Sequence, residues 1–450
     1  MGKYFGTDGA RGVANVELTA ELAYKIGVAA AWVLTRELKH RACFFIGRDT
    51  RISGNMLEAA LQAGICAAGA DVVSLGVLPT PAVALLTATH AVDAGFVISA
   101  SHNPFEHNGI KIFGSAGYKL TDAQEERIEH YIDSPPAEAM VTGEKLGRIT
   151  HLELSAEAEY TDHIIKSAPG RLDGLRIVLD CSNGAASTTA ERIFTALGAA
   201  CTVIHHEPNG VNINDGCGST HMDSLCRAVT EGGYDIGAAF DGDADRCLLA
   251  DEKGQVIDGD RILALLAEDM QKQGALKGGV SATVMSNLGL RSYCRERGIE
   301  VGCAKVGDRY VLEEMRQKGW NIGGEQSGHV ILSDYATTGD GQLTAVHFLC
   351  MLKKSGRKAS ELCAAVPVYP QVTVNVKAPN SVKRQVTELP AVRDVIARIE
   401  AHFGSEGRIL IRPSGTEALV RVMVEGRDQN DVAHWAREAA GVIEAAVAAL

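Results

Sequence analysis

The sequence predicts an α/β protein: three related strand-and-helix units followed by a smaller α+β domain. Three observations carry this. Continuous apolar runs too short for helices recur in three groups. In each group the third run passes directly into a polar loop, and after Pro370 the runs give way to strict alternation.

The first group opens with a helix over residues 17–38, where Leu22, Ile26, Ala29 and Val33 recur at helical spacing behind Thr19 as N-cap and Glu21 in the first turn. Strands follow at Ala42–Ile46, Asp71–Leu75 and Gly95–Ser99. The second group has Arg176–Asp180, Cys201–His205 and Asp235–Phe240, and the third Ala282–Met285, Glu300–Ala304 and Asn321–Gly324. The loops after the third runs are Ser99-Ala-Ser-His-Asn103, Asp241-Gly-Asp-Ala-Asp245 and Glu325-Gln-Ser-Gly-His329. Ligands of parallel sheets gather at the carboxyl ends of strands, so the three loops are expected to share one central cleft. Joins are expected at Ser134–Pro136, near Asp251–Gly254 and at Val366–Pro370, which divides the chain into domains 1–150, 151–253, 254–367 and 368–450. In the last domain Gln371–Val376 and Leu419–Val424 read as strands, with a closing helix from Asp431.

At 450 residues the chain exceeds one hydrophobic core. With 46% hydrophobic and 22% charged residues and only 12 prolines, it reads as compact rather than disordered. A net charge of −12 argues against a nucleic-acid or anionic-membrane partner, so a site for an anionic ligand must be locally positive. The 11 cysteines show no CxxC pair and several lie in apolar stretches, Cys43 and Cys303 among them, which fits a reduced cytoplasmic chain. Neither a signal pattern nor a run of 18 apolar residues is present, and Gly6 stands where a myristoylation motif requires Ser or Thr.

Ser101 is the most informative residue. A phosphorylated serine can give up its phosphoryl group when a divalent cation neutralises the developing charge, and Asp241, Asp243 and Asp245 offer such a hard-cation site. No GxSxG elbow surrounds Ser101, so a hydrolase nucleophile is poorly supported. Lys111, after the Asn108-Gly109 turn, brings a cation toward the same loop. The aspartate triplet could be read as an EF-hand, with Glu252 at its twelfth position, but the sixth is Arg246 instead of glycine and a strand precedes it instead of a helix. A solvated acidic turn is the remaining plain reading, and Mg²⁺ is the ion expected if a phosphate oxygen completes the shell.

Gly323-Gly324 lets the backbone approach a ligand, while Glu325 and Ser327 suit sugar hydroxyls. His329 reads either as an acid or base or as a structural histidine. Arg412-Pro-Ser414-Gly415-Thr416-Glu417 combines an arginine fork, hydroxyls and a glycine turn into a phosphate cradle, with Arg421 close by. Arg11 adds positive charge, as do Arg48 and Arg51, for which scaffold salt bridges are equally open.

These four loops, in this order and over essentially the whole chain, resemble the α-D-phosphohexomutase family. Phe5-Gly-Thr-Asp-Gly9, Cys217-Gly-Ser-Thr-His221, Val284-Met-Ser-Asn-Leu-Gly289 and Gly324-Glu-Gln-Ser-Gly-His329 are similar to its glucosamine branch, with Gln326 where phosphomannomutase/phosphoglucomutase enzymes usually carry Met. The resemblance implies three α/β/α domains with mixed sheets and a C-terminal domain like the TATA-binding-protein fold. It implies conversion of glucosamine 6-phosphate to glucosamine 1-phosphate for cell-wall precursor synthesis, with a hexose bisphosphate as activator. By the same resemblance Ser101 carries the phosphoryl group and, with Asp241, Asp243 and Asp245, holds one Mg²⁺. Arg11, His102 and Lys111 would serve catalysis. Arg246, Glu325, Ser327 and His329 would bind the sugar, and Arg412, Ser414, Gly415, Thr416 and Arg421 the phosphate that is not transferred. Related enzymes are often homodimers.

Two departures from the pattern stand out: Ala10 replaces the usual Ile or Val, and Ala418 the usual proline, a change expected to leave the phosphate loop freer in the absence of ligand. Rival readings are mutase activity on mannose or glucose phosphates, a metal-dependent phosphatase in which water attacks the phosphoserine, and a non-catalytic sugar-phosphate binder.

Overall fold

The structure, a computed structural model, describes residues 3–6, 8–90, 92–414 and 417–450. The chain forms two compact units, Met1–Met285 with Arg297–Ala365, and Ser286–Glu296 with Val366–Leu450.

The larger unit contains three mixed sheets. The first comprises β1 (Phe5–Gly6), β2 (Gly9–Val13), β3 (Cys43–Arg48), β4 (Asp71–Val77), β5 (Ala94–Ile98), β6 (His107–Gly114) and β7 (Ile149–His151), in the order β1-β2-β6-β5-β3-β4-β7. The second comprises β8 (Arg176–Asp180), β9 (Ala200–Ile204), β10 (Ile236–Phe240), β11 (Cys247–Asp251) and β12 (Val256–Ile257), ordered β12-β11-β10-β8-β9. The third comprises β13 (Val280–Thr283), β14 (Val301–Ala304), β15 (Ile322–Gly324) and β16 (Val330–Leu332), ordered β14-β13-β15-β16.

One pattern underlies all three sheets. Three parallel strands lie with the first in sequence at the centre, and a fourth returns antiparallel to the third: β4-β3-β5-β6, β9-β8-β10-β11 and β14-β13-β15-β16. Each polar loop identified in the sequence is the turn between that third strand and its antiparallel return. The central strands β5 and β10 are buried throughout, which is why they read as unbroken apolar runs. The edge strand β14 behaves differently. Cys303 is exposed there, because an edge strand turns one side to solvent and its apolar neighbours do not enclose it.

The first helix, Ala20–Thr35, starts where Thr19 Oγ1 accepts the Leu22 N–H at 3.1 Å. It packs against the Ser53–Ala67 helix with Gly27 and Gly64 at the crossing, where a Cβ on either glycine would run into the other helix's backbone. Asp251–Gly254, read as a join, is the hairpin turn between β11 and β12, so the second sheet continues to Ile257.

The smaller unit is built on an antiparallel sheet of β17 (Gln371–Lys377), β18 (Gly407–Pro413) and β19 (Leu419–Gly426), ordered β17-β19-β18. Val376, Val420, Val422 and Val424 form its core with Val395 and Ile399 of the Pro390–Phe403 helix and Ala436 and Ile443 of the Gln429–Ala448 helix. Ser286–Glu296 belongs to this unit: Leu288 N donates to Glu425 Oε1 at 2.9 Å, and Asn287 and Tyr369 exchange two 3.0 Å hydrogen bonds.

Candidate active site

Ser101 sits three residues beyond the end of β5 with φ +53°, a left-handed conformation that costs a non-glycine residue about 1 kcal/mol and so must be held by its surroundings. Ser99 Oγ donates to Asp49 Oδ2 at 2.6 Å and accepts the Ser101 N–H at 2.9 Å. Arg51, fully buried, pairs through Nε with Asp49 Oδ2 at 2.9 Å. Its remaining donors go to main-chain carbonyls: Ser101 O at 2.9 Å, Asn103 O at 2.8 Å and Pro104 O. Arg51 is therefore a scaffold for the serine loop, whereas Arg48 pairs with Glu58 at 2.9 Å.

The buried Ser101 hydroxyl donates to Asp241 Oδ2 at 2.6 Å. Asp241 begins the turn after β10, in which Ala244 takes φ +55° and bends the chain so that all three carboxylates converge. Asp241 Oδ1 accepts the Arg246 N–H at 3.1 Å. Asp243 Oδ2 accepts from Thr80 Oγ1 at 2.6 Å and from Lys111 Nζ at 2.8 Å. Asp245 Oδ2 is 3.5 Å from Lys111 Nζ.

One oxygen from each of Asp241, Asp243 and Asp245 lies within 4.8 Å of the others. Asp243 Oδ1 and Asp245 Oδ1 are buried without a hydrogen-bond partner. Converging buried carboxylates with orphaned oxygens fit a hard divalent cation, which would supply the missing positive charge. Burial, together with Asp245 and Asp243, pushes the Asp241 carboxyl well above the usual carboxylate range.

Positive charge rings these carboxylates. Burial alone would lower the Lys111 ammonium, but Asp243, Asp8 and Asp245 outweigh it and hold it above the ordinary lysine range. Arg11 pairs with Asp8, and Lys119 bridges Asp8 and Asp308, reaching the latter at 2.5 Å. The half-buried His102 has Nδ1 at 3.5 Å from Ser101 Oγ. Burial, then Arg246 and Arg11, push its imidazole down to about 4, so it is neutral at pH 7 and able to accept a proton.

The third loop is held against the second sheet. Cys247 N donates to Gly328 O and Gly259 N to Gln326 O, both at 3.0 Å. Glu325 Oε1 accepts the Gly307 N–H at 3.0 Å, and Ser327 is exposed. His329 is buried, with Nδ1 3.7 Å from Asp245 Oδ1, and its Nε2 accepts the Gly339 N–H at 3.1 Å. Both ring nitrogens face protein groups, so His329 braces Asp245 and offers no free donor to a sugar. Lys119 and Asp308 also form one wall of a cavity of about 570 Å³, with Tyr118, Tyr310 and Arg316.

Ser101, His102, Lys111, Arg11, the three aspartates, Arg246, Glu325 and His329 thus lie on one connected network in the larger unit. Sequence reasoning gave no role to Thr80, Lys119, Asn214 or Asp308. It quoted Asp8 only inside a motif.

In the smaller unit Arg412 and Arg421 are direct cross-strand partners on β18 and β19. Like charges so placed repel unless an anion lies between them. Arg421 Nη2 meets Glu417 Oε2 at 2.8 Å, and Ser414 Oγ accepts the Glu417 N–H at 3.1 Å. Lys383, unsuspected from sequence, donates to Ser414 O at 2.6 Å and Glu417 O at 3.1 Å and so shapes this loop. Gly415 and Thr416 lie outside the described residues.

Four family models cover nearly all of the chain: phosphoglucomutase/phosphomannomutase alpha/beta/alpha domain I over residues 2–138, domain II over 158–254, domain III over 258–369, and the C-terminal domain over 374–442. The chain belongs to the phosphoglucomutase/phosphomannomutase family. As a member of that family it is an enzyme of the mutase class, an isomerase. It is 52% identical over 446 residues to the phosphoglucosamine mutase of Acetivibrio thermocellus and 50% identical over 446 residues to that of Ruminiclostridium cellulolyticum, covering 99% of each chain in both cases. Among solved structures, a phosphoglucomutase/phosphomannomutase family protein from Burkholderia thailandensis matches with TM-score 0.82 at 26% identity, over 99% of this chain and 98% of that one. Among the described residues of this phosphoglucomutase/phosphomannomutase family member, no helix is long and apolar enough to cross a membrane.

Proposed function

We propose that this chain interconverts glucosamine 6-phosphate and glucosamine 1-phosphate, with phosphoserine at Ser101 as the phosphoryl carrier. The observation that carries the reading is the 2.6 Å contact of Ser101 Oγ with a buried, cation-seeking carboxylate triplet. The choice of glucosamine rests on the relatives at about half identity named phosphoglucosamine mutase.

Asp241, Asp243 and Asp245, with the phosphate on Ser101, would hold one Mg²⁺, which when bound neutralises charge on the transferring group. The chain's own residues do the rest. In the forward direction the sugar O1 attacks the phosphorus on Ser101: the P–O1 bond forms, the P–Oγ bond breaks and the electron pair stays on Oγ. Neutral His102, whose Nδ1 is 3.5 Å from Ser101 Oγ, would take the O1 hydroxyl proton and pass it to the departing Oγ, while Lys111 and Arg11 would steady the phosphoryl oxygens as fixed cations. The resulting glucosamine 1,6-bisphosphate turns over and returns its 6-phosphoryl group to Ser101, releasing the 1-phosphate. A hexose bisphosphate added from outside primes Ser101 by the same chemistry.

Glu325, Ser327 and Arg246 contact the sugar in this scheme, and Arg412, Ser414 and Arg421 bind the phosphate that is not transferred. The product would feed synthesis of cell-wall precursor. All eleven cysteines are unbridged, in keeping with a reduced cytoplasmic setting.

The test is a coupled assay with glucosamine 6-phosphate, glucose 1-phosphate and mannose 1-phosphate, in Mg²⁺ and a hexose bisphosphate. The highest kcat/KM is expected for glucosamine phosphate, and Ser101→Ala is expected to abolish turnover in a folded protein. Wild-type turnover by Ser101→Ala, or inorganic phosphate as the main product, would refute the proposal.

A further inference from the structure

The Cys217–His221 motif marks the glucosamine branch, yet it contributes no group to the reaction described above. Its location shows what it supports. Asp180, at the end of β8, is buried; its Oδ1 accepts the Ser182 N–H at 2.9 Å and its Oδ2 the Gly218 N–H at 3.0 Å. His205 Nδ1 is 3.1 Å from the same Oδ2, and Asn183 N donates to His205 O at 2.6 Å. Asp180, His205 and Cys217 offer metal-type ligand atoms within 4.8 Å of one another, but these hydrogen bonds already engage the carboxylate, and burial pushes the Cys217 thiol up to about 12. The group is a clamp on two loops.

What the clamp presents is Asn214. Its N–H donates to Ser182 O at 2.9 Å, and Ser182, Asn183, His205 and Asn214 all adopt left-handed φ between +48° and +58°. Four such non-glycine residues in one cluster indicate a backbone forced into place. From there Asn214 Nδ2 donates to Ser101 O at 2.9 Å and to Asn103 O at 3.1 Å. Asn214 Oδ1 is buried with no hydrogen-bond partner, so the carboxamide is spent on its donor end alone. Around this contact the second sheet meets the serine loop closely: a Cβ on Gly242 would lie 2.6 Å from Ser101 O, and Thr50 Oγ1 donates to Asn183 O at 2.6 Å. Arg51 binds the same two carbonyls from the first sheet.

We propose that Asn214 is a positioning residue: with Arg51 it grips the backbone of Ser101 and Asn103 from opposite sides and aims the serine oxygen at the Asp241 loop. The proposal rests on Ser101 as phosphoryl carrier. The side-chain hydrogen bonds of Asn214 go to the main-chain carbonyls of Ser101 and Asn103, so its loss misaims the serine while leaving the reacting side chains themselves unchanged. Misplacement on the order of 1 Å costs up to about 100-fold in rate.

Two variants test it. Asn214→Asp keeps the shape and tolerates the left-handed backbone but turns a carboxylate toward two carbonyls. Asn214→Gly keeps the backbone and deletes the carboxamide. Each is compared with wild type for kcat and KM on glucosamine 6-phosphate, for the rate of Ser101 phosphorylation by glucose 1,6-bisphosphate followed by intact mass, and for thermal midpoint. Both variants are expected to fold, to lose about 10- to 100-fold in kcat and in the phosphorylation rate, and to change KM less than about 3-fold. Rates within about 2-fold of wild type, or an effect confined to KM, would overturn the inference. Loss of the folded state in both variants would overturn it too, since Asn214 would then serve stability alone. Failure of wild-type Ser101 to gain a phosphate would instead strike the functional reading beneath it.

Discussion

Arg51 illustrates how much of this site depends on a residue that never reaches the chemistry. Its guanidinium is fully buried, neutralised by Asp49 and spread over three carbonyls of the serine loop. A lysine keeps the charge but not the planar fork, so some of these carbonyls and part of Asp49 lose their partner. Arg51→Lys is expected to destabilise the protein by about 3 kcal/mol, read as a lowered denaturant midpoint with unchanged slope. A midpoint equal to wild type would mean that the loop holds itself. In the sequence Arg51 is one of several arginines open to a scaffold or a site role, because the three carbonyls it binds lie about fifty residues away in the chain and no local pattern announces them.

At the level of elements, the Gly341–Ser355 helix carries a titratable cap. Asp340 Oδ1 accepts the Leu343 N–H at 2.9 Å, and the Tyr160 hydroxyl donates to both Asp340 oxygens, at 3.0 and 3.1 Å. Burial, only partly offset by these hydrogen bonds, pushes the carboxyl up to about 7. Between the unfolded value near 4 and about 7 the native state binds the extra proton, so this group stabilises the fold at low pH and the contribution is lost as pH rises through 7. An asparagine in its place would still cap the helix without a charge to bury. Asp340→Asn is therefore expected to be more stable than wild type by about 1–3 kcal/mol at pH 8, with the advantage shrinking toward pH 4. Denaturant melts at the two pH values decide it; an advantage that grows toward acid would contradict the assignment. Among elements, strands buried on both faces are legible as apolar runs, whereas β18 escapes a reading from sequence although Arg408-Ile-Leu-Ile-Arg412 is apolar between two arginines. Its pattern merges with the polar Ser414-Gly-Thr-Glu417 run that follows in the sequence.

Across the whole molecule, one βαβαβ unit with an antiparallel return strand is used three times, each time with a different loop at the same turn: serine, carboxylates, then Glu325 with His329. Repetition places the loops, and a divalent cation held by the three carboxylates would complete their charge balance. Chelation is thus expected to reduce turnover by at least about 100-fold, and added Mg²⁺ to restore it and raise the thermal midpoint by ligand linkage. Full activity in chelator, with metal removal verified by elemental analysis, would exclude the carboxylate triplet as a working cation site. The sequence by itself determined the three strand-to-loop junctions, the aspartate triplet and Ser101 as its counterpart, because these are local patterns of burial and charge that neighbouring residues impose on one another. Only the tertiary structure decided that Lys119 joins Asp8 to Asp308 across 111 and 189 residues, that His329 braces Asp245, and that Asn214 reaches Ser101 across 113. The reason is that a hydrogen bond between distant residues leaves no periodicity in the chain; it exists only once the sheets have packed and a buried polar group must find its partner.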